Sequence, residues 1–153
     1  MRTGMIICPF VAHATHLEVV MPTSQQVGNA IKRYIDTYNS GDREGWISCW
    51  AENAILEDPV GGPRKGGIRS IEETWDRTIK TGADWKIEAI MIRICGNEAG
   101  LHMRNVNTRD EMFLDSIEFW RFNDECKIDC CRTFFTKDGV LDDYWINDDA
   151  IKG

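Results

Sequence analysis

Histidine is scarce in this sequence, three residues in 153, and two of them, His13 and His16, fall in the first twenty positions. No Ser-His-Asp order, phosphate-binding glycine loop or His-Glu zinc pattern is present, so the chemistries those patterns carry have no support. Basic residues are short as well. Eighteen Lys and Arg face 25 Asp and Glu, a formal net charge of −7. Lys and Arg never cluster among aromatics, which argues against nucleic acid and anionic membrane as partners. Apolar runs are short. The longest near the start, Met5 to Ala12, is interrupted by Pro9 and falls well below membrane-spanning length.

Cysteine is the exception, with six residues at positions 8, 49, 95, 126, 130 and 131. Cys126-x3-Cys130-Cys131 lacks a second paired knuckle, so no metal site is expected. On a strand, Cys130 and Cys131 point to opposite faces. Reduced, packed thiols in a cytoplasmic protein fit this usage better than disulfides. With 42% hydrophobic and 28% charged residues, the composition is that of an ordinary folded domain. A chain of this size buries about two-thirds of its unfolded surface. Residues 1–22 read as an uncleaved leader, or as extra coding ahead of a start at Met21. Residues 23–137 read as the domain, and 138–153 as an acidic tail.

Apolar residues at Val27, Ala30, Ile31, Tyr34, Ile35 and Tyr38 recur at helical spacing, with Thr23 or Ser24 as cap and Asn39-Ser40-Gly41-Asp42 as stop. A second helix is expected from about Arg43 to Glu52, with Trp46, Ile47 and Trp50 on one face. A third follows Gly67 and buries Ile68, Ile71, Trp75 and Ile79. From Trp85 onward the period drops to two, over Trp85–Cys95, Asn97–Asn107, Glu111–Phe122 and Lys127–Phe135. Helices followed by consecutive strands predict an α+β fold, with helices packed on a mostly antiparallel sheet.

Three residues stand out for chemistry. Asp58 lies in Glu57-Asp58-Pro59-Val60-Gly61-Gly62-Pro63, where Pro59 biases it toward extended backbone. On that stretch alone it reads as a turn former, since Asp before Pro is a common turn start. Glu118 shares a strand face with Met112, Leu114, Ser116, Trp120 and Phe122. There a carboxyl either finds a partner, such as Arg104 or Arg132, reaches solvent at a sheet edge, or is held neutral by desolvation. A neutral carboxylic acid can donate a hydrogen bond. Tyr34 lies on the apolar stripe of the first helix, the usual place for a core tyrosine. Trp50, Trp75, Trp120 and Phe135 are core residues first and pocket walls second.

Together, Arg33-Tyr34, Asn39-Ser40-Gly41-Asp42, Glu57-Asp58-Pro59-Val60-Gly61, Asn97-Glu98-Ala99 and Arg121-Phe122-Asn123 resemble the steroid Δ-isomerases (ketosteroid isomerases). These belong to the wider nuclear-transport-factor-2-like and SnoaL-like superfamily. The resemblance implies a cystatin-like cone, a curved and mostly antiparallel sheet wrapped by three helices, often paired as a homodimer. It implies no cofactor and no metal. A carboxylic acid held neutral inside an oxyanion hole is known from this same family, which supplies the roles that follow. Carried over, Asp58 is the base that moves a proton next to a carbonyl, and Tyr34 donates to the resulting oxyanion. Glu118 stands at the family's second donor, an aspartic acid. Trp50, Pro59, Val60, Trp75, Met103, Asn105, Trp120, Cys131 and Phe135 are implied to contact a small hydrophobic ligand. Trp50 and Trp75 replace the family's tyrosine or phenylalanine, and Asn105 is more polar than its counterpart. Both changes predict a more polar or differently shaped ligand. A SnoaL-like cyclase or dehydratase acting on a polyketide-type substrate, or a non-catalytic binding module, are the competing expectations.

Overall fold

The computed structural model describes residues 21–79, 84–109 and 112–135. The leader over 1–20, the Asp138-Gly139 turn and the acidic tail lie outside the described residues.

Helix α1 (Ser24–Ser40) begins at Thr23, whose hydroxyl accepts from the Gln26 backbone N–H while the Gln26 side chain accepts from the Thr23 N–H, a reciprocal cap. It stops at Gly41, whose φ of 73° suits glycine alone at no cost. Val27 and Ile31 are fully buried. At its end, the Asn39 side-chain amide exchanges two 2.8 Å hydrogen bonds with the backbone of Ile87, pinning the helix to the sheet. Asp42 then caps a short helix α2 (Arg43–Ile47) by accepting from the Gly45 N–H.

The second helix ends earlier than its periodicity predicts, and Trp50 opens strand β1 (Trp50–Glu57) instead. Sheet pairing explains the difference. The Cys49 carbonyl accepts from the Ile128 N–H, and Trp50 pairs with Ile128, so the backbone is claimed by β6 before another helical turn can form. A turn through Pro59–Gly62 leads to β2 (Lys65–Gly66), and α3 (Ile68–Thr74) passes into a π-helical turn, Trp75–Ile79. Strands β3 (Trp85–Cys95), β4 (Glu98–Asn107), β5 (Met112–Phe122) and β6 (Ile128–Phe134) follow.

The six strands form one mixed sheet in the order β2-β1-β6-β5-β4-β3, antiparallel except where β1 runs beside β6. Irregular pairing at Ala89/Met91 and at Arg121/Phe122 bends it. The inner face carries Ala99, Leu101 and Met103 from β4, Ser116, Glu118, Trp120 and Phe122 from β5, and Cys131 and Thr133 from β6, all buried. The outer face carries exposed Phe113, Ile117, Phe119 and Phe134. The α+β class and the alternation predicted for β4 and β5 are therefore what the chain adopts.

Candidate active site

The helices do not close over the whole inner face. They leave a cavity of about 470 Å³, lined by Tyr34, Asp58 and Glu118 together. These three come from α1, the residue after β1, and the middle of β5. Cross-strand register sets the position of Glu118, with Leu101 on one side and Thr133 on the other. Asp58 is held by its turn: the Val60 N–H donates to the Thr133 carbonyl at 2.8 Å, tying the Pro59–Gly62 loop to β6. The Asp58–Pro59 peptide is cis.

The two carboxyls share an electrostatic condition. Protein surrounds Asp58 on most sides although its accessible edge opens to solvent, and burial raises its pKa; the Lys65 charge opposes that shift without cancelling it. Glu118 is 9% exposed, and burial pushes it up to about 7. Hydrogen bonds from Trp120 and Ser116 oppose the rise, while the Asp58 charge adds to it. At neutral pH the Glu118 carboxyl therefore divides between acid and carboxylate. Glu118 contacts neither arginine considered for it, since Arg104 pairs with Asp115 and Arg132 with Glu57 on the outer face.

Tyr34 sits in a cluster of indoles, with ring centroids 4.6 Å from Trp120, 5.6 Å from Trp46 and 6.0 Å from Trp50. Burial raises its pKa well above the ordinary value, and the repulsion a phenolate would meet from the ionised forms of Cys131 and Glu118 adds to this. The Trp46 indole N–H opposes the rise by favouring the phenolate; it is buried and makes no closed hydrogen bond. An indole N–H only donates, so none of these rings can relay a proton through Tyr34.

Of the expected contact residues, Trp50, Met103, Asn105, Cys131 and Phe135 line the cavity. Cys131 is a buried, neutral thiol, its pKa raised by burial and then by the charges of Glu118 and Asp58. The structure does not bring Pro59, Val60, Trp75 or Trp120 to the cavity lining. Pro59 and Val60 shape the loop behind Asp58. Trp75 packs 5.3 Å from Trp46, one ring removed from Tyr34, and Trp46 takes the place beside the phenol. Trp120 lies behind Glu118, 1% exposed.

Tyr38, Trp46, Thr74 and Thr133 also line the cavity, although the sequence pattern does not mark them as contact residues. Two carry a readable signal. Tyr38 is four residues from Tyr34 on the same helical stripe, and Thr133 shares a strand face with Cys131. Tyr38 also faces Asp58 closely enough for that carboxylate to help raise its pKa, after burial. No cluster of three or more His, Cys, Asp or Glu suited to a metal occurs among the described residues. No helix among them is long and apolar enough to cross a membrane.

Comparison with known proteins finds relatives of the same architecture. The model of the SnoaL-like domain matches residues 31–130. A steroid Δ-isomerase of Nocardioides simplex is 27% identical over 114 residues, covering 73% of this chain and 91% of that enzyme. Among solved structures, the epoxide hydrolase/cyclase-like enzyme SalBIII, described in pyran ring formation in the polyether salinomycin, superposes with a TM-score of 0.67 at 21% identity. The match covers 74% of this chain and 93% of that one. Rv0760c of Mycobacterium tuberculosis gives a TM-score of 0.67 at 16% identity, covering 76% and 96%. These two likenesses show the fold, the α+β cone.

Proposed function

The chain belongs to the SnoaL-like domain family, and from that premise we propose that it is an isomerase that shifts a proton α to a carbonyl without a cofactor. The observation that carries this reading is the meeting of Tyr34, Asp58 and Glu118 in one cavity, with both carboxyls raised in pKa. The Asp58 carboxylate takes a proton from the carbon next to the carbonyl, and the electron pair moves onto the carbonyl oxygen. Tyr34 and the acid form of Glu118 donate hydrogen bonds to that oxygen. Asp58 then returns the proton to the far carbon of the conjugated system, so the enzyme is regenerated and the substrate isomerised. A raised pKa brings the Asp58 conjugate acid nearer to that of the carbon it deprotonates, which favours transfer. Hydrogen-bond donors already in place around the carbonyl oxygen act most strongly on a developing charge.

The same site supports a second reading. Asn105, Thr74 and Thr133 add polar groups to the cavity wall, which suits a hydroxylated, polyketide-type substrate undergoing cyclisation or dehydration. The third is a binding module for a small hydrophobic ligand. The exposed Phe113, Ile117, Phe119 and Phe134 on the outer sheet face support a homodimer in each case; Phe119→Asp should convert it to monomer in sedimentation velocity, and an unaltered coefficient removes that face from the interface.

The deciding experiment offers a 5-ene-3-ketosteroid and follows conjugated-enone absorbance. Turnover is expected with the native chain and its loss in Asp58→Asn. An unchanged rate in the variant overturns the assigned base. Ligand quenching of Trp fluorescence that is indifferent to Asp58→Asn, with no turnover, selects the binding module.

A further inference from the structure

Glu118 is one methylene longer than the aspartic acid that the family resemblance implies at its position, and two neighbours on the same strand face bond its carboxyl. Ser116 Oγ donates to Oε1 at 2.9 Å, and Trp120 Nε1 donates to Oε2 at 2.7 Å. Ser116 is 3% and Trp120 1% exposed, so water does not replace either bond. The carboxyl is gripped from two residues before and two residues after. Trp120 also makes a second contact. Its ring meets Tyr34 edge-on at 4.6 Å, nearer than either of the other indoles around that phenol. One side chain thus touches both groups assigned to the substrate oxygen.

We propose that Trp120 is a positioning residue that registers Tyr34 against Glu118 and, with Ser116, fixes Oε1 as the carboxyl oxygen that carries the acid proton. This rests on the functional reading above. The assignment of the proton follows from donor chemistry. An indole N–H only donates, so Oε2 is always an acceptor. A serine hydroxyl donates or accepts by rotating about its C–O bond, so Oε1 tolerates either state. When Oε1–H turns to a ligand oxygen, Ser116 still donates to the remaining lone pair of Oε1. The titratable groups facing this carboxyl are Tyr34 from α1, Asp58 after β1 and Cys131 from β6. Of these, the Asp58 charge works against ionisation of Glu118.

Both hydrogen bonds favour the ionised carboxylate, so removing either raises the titration midpoint of Glu118, by about 1–2 pH units for a bond to a buried charge. The test is a carboxyl ¹³C NMR titration of the full chain, assigned with Glu118→Gln, in the native protein, Trp120→Phe and Ser116→Ala. It requires no turnover. Midpoints higher in both variants are expected; a midpoint unmoved in both overturns the clamp. Should Trp120→Phe fail to fold, Ser116→Ala, which removes one small hydroxyl, decides alone. With the ketosteroid assay, Trp120→Phe should lower kcat about tenfold or more with KM little changed, and the alkaline limb should move up with the midpoint. A shifted midpoint with unchanged kcat overturns the positioning role. Shifted midpoints in a protein that turns over no ketosteroid leave the clamp standing and remove the isomerase reading.

Discussion

Glu57 and Asp58 are neighbours in the chain, and Asp115 and Glu118 lie three residues apart on one strand. Within each couple the two carboxyls are driven in opposite directions. Glu57 accepts from Arg132 at 2.7 Å and from Arg64 at 2.8 Å, and Asp115 accepts from Arg104 at 2.7 and 2.8 Å. Hydrogen bonds from these guanidiniums hold both carboxyls below the usual carboxylate range. Asp58 and Glu118 turn to the cavity, where burial raises both. The residue type is the same; the partner differs. The outer face stabilises charge with hydrogen-bonded guanidiniums. The inner face instead surrounds Glu118 with indole, phenol, hydroxyl and thiol, and leaves Asp58 only the more distant charge of Lys65, which does not cancel its rise. Only the second arrangement leaves a carboxyl able to exchange a proton near neutral pH.

The strongest way to break this contrast is to neutralise both members of the first couple separately. Asp58→Asn should lower kcat for enone formation by about 10²–10⁴, the usual contribution of a positioned base. Glu57→Gln should leave kcat close to native. Equal losses would mean that the loop, and not the cavity carboxyl, is what matters.

Glu118 comes next. Removing a donor to an oxyanion costs about 10²–10³ in rate, so Glu118→Ala should fall in that range. Glu118→Gln, which keeps a donor, should retain more. Identical losses in steady-state kinetics remove the hydrogen-bonding role.

A third effect is on stability. The folded pKa of Glu118, about 7, lies above the ordinary 4.5. Its contribution is therefore fully present below pH 4.5 and is lost as pH rises through about 7, a total of about 3 kcal/mol. Asp115 and Glu57 act with the opposite sign: their contributions are present above the ordinary carboxylate pKa and are lost as pH falls through their lowered values. Urea denaturation should show stability declining from about pH 5 to about pH 8 in the native chain, and Glu118→Gln should flatten that decline. A decline of equal steepness in the variant assigns it to another group.

The smallest effect is expected from Asp115→Asn. It unties an ion pair on the exposed side of the sheet, where such pairs contribute little. Calorimetry should find the melting temperature nearly unchanged, and the assay a native kcat. A large loss of activity would show that the two faces of β5 are coupled.

By itself, the sequence determined the elements whose information is local. The stripe from Val27 to Tyr38, a cap at Thr23 or Ser24, the stop over Asn39-Ser40-Gly41-Asp42 and the two-residue alternation along β4 and β5 all follow from neighbours within four positions, where helix and strand geometry dictate which side chains share a face. That alternation already placed Glu118 beside Ser116 and Trp120, and the Asp58 motif stood out with Tyr34 through the family resemblance. Tertiary structure alone decided the rest. It put Trp46 rather than Trp75 against Tyr34, ended α2 before Trp50, moved Trp120 from the cavity wall to a place behind the carboxyl, and gave the arginines to Glu57 and Asp115. Those outcomes depend on distances between segments far apart in the chain, which packing and strand register set. The pKa of a carboxyl follows from what finally surrounds it, and no local pattern of residues contains that information.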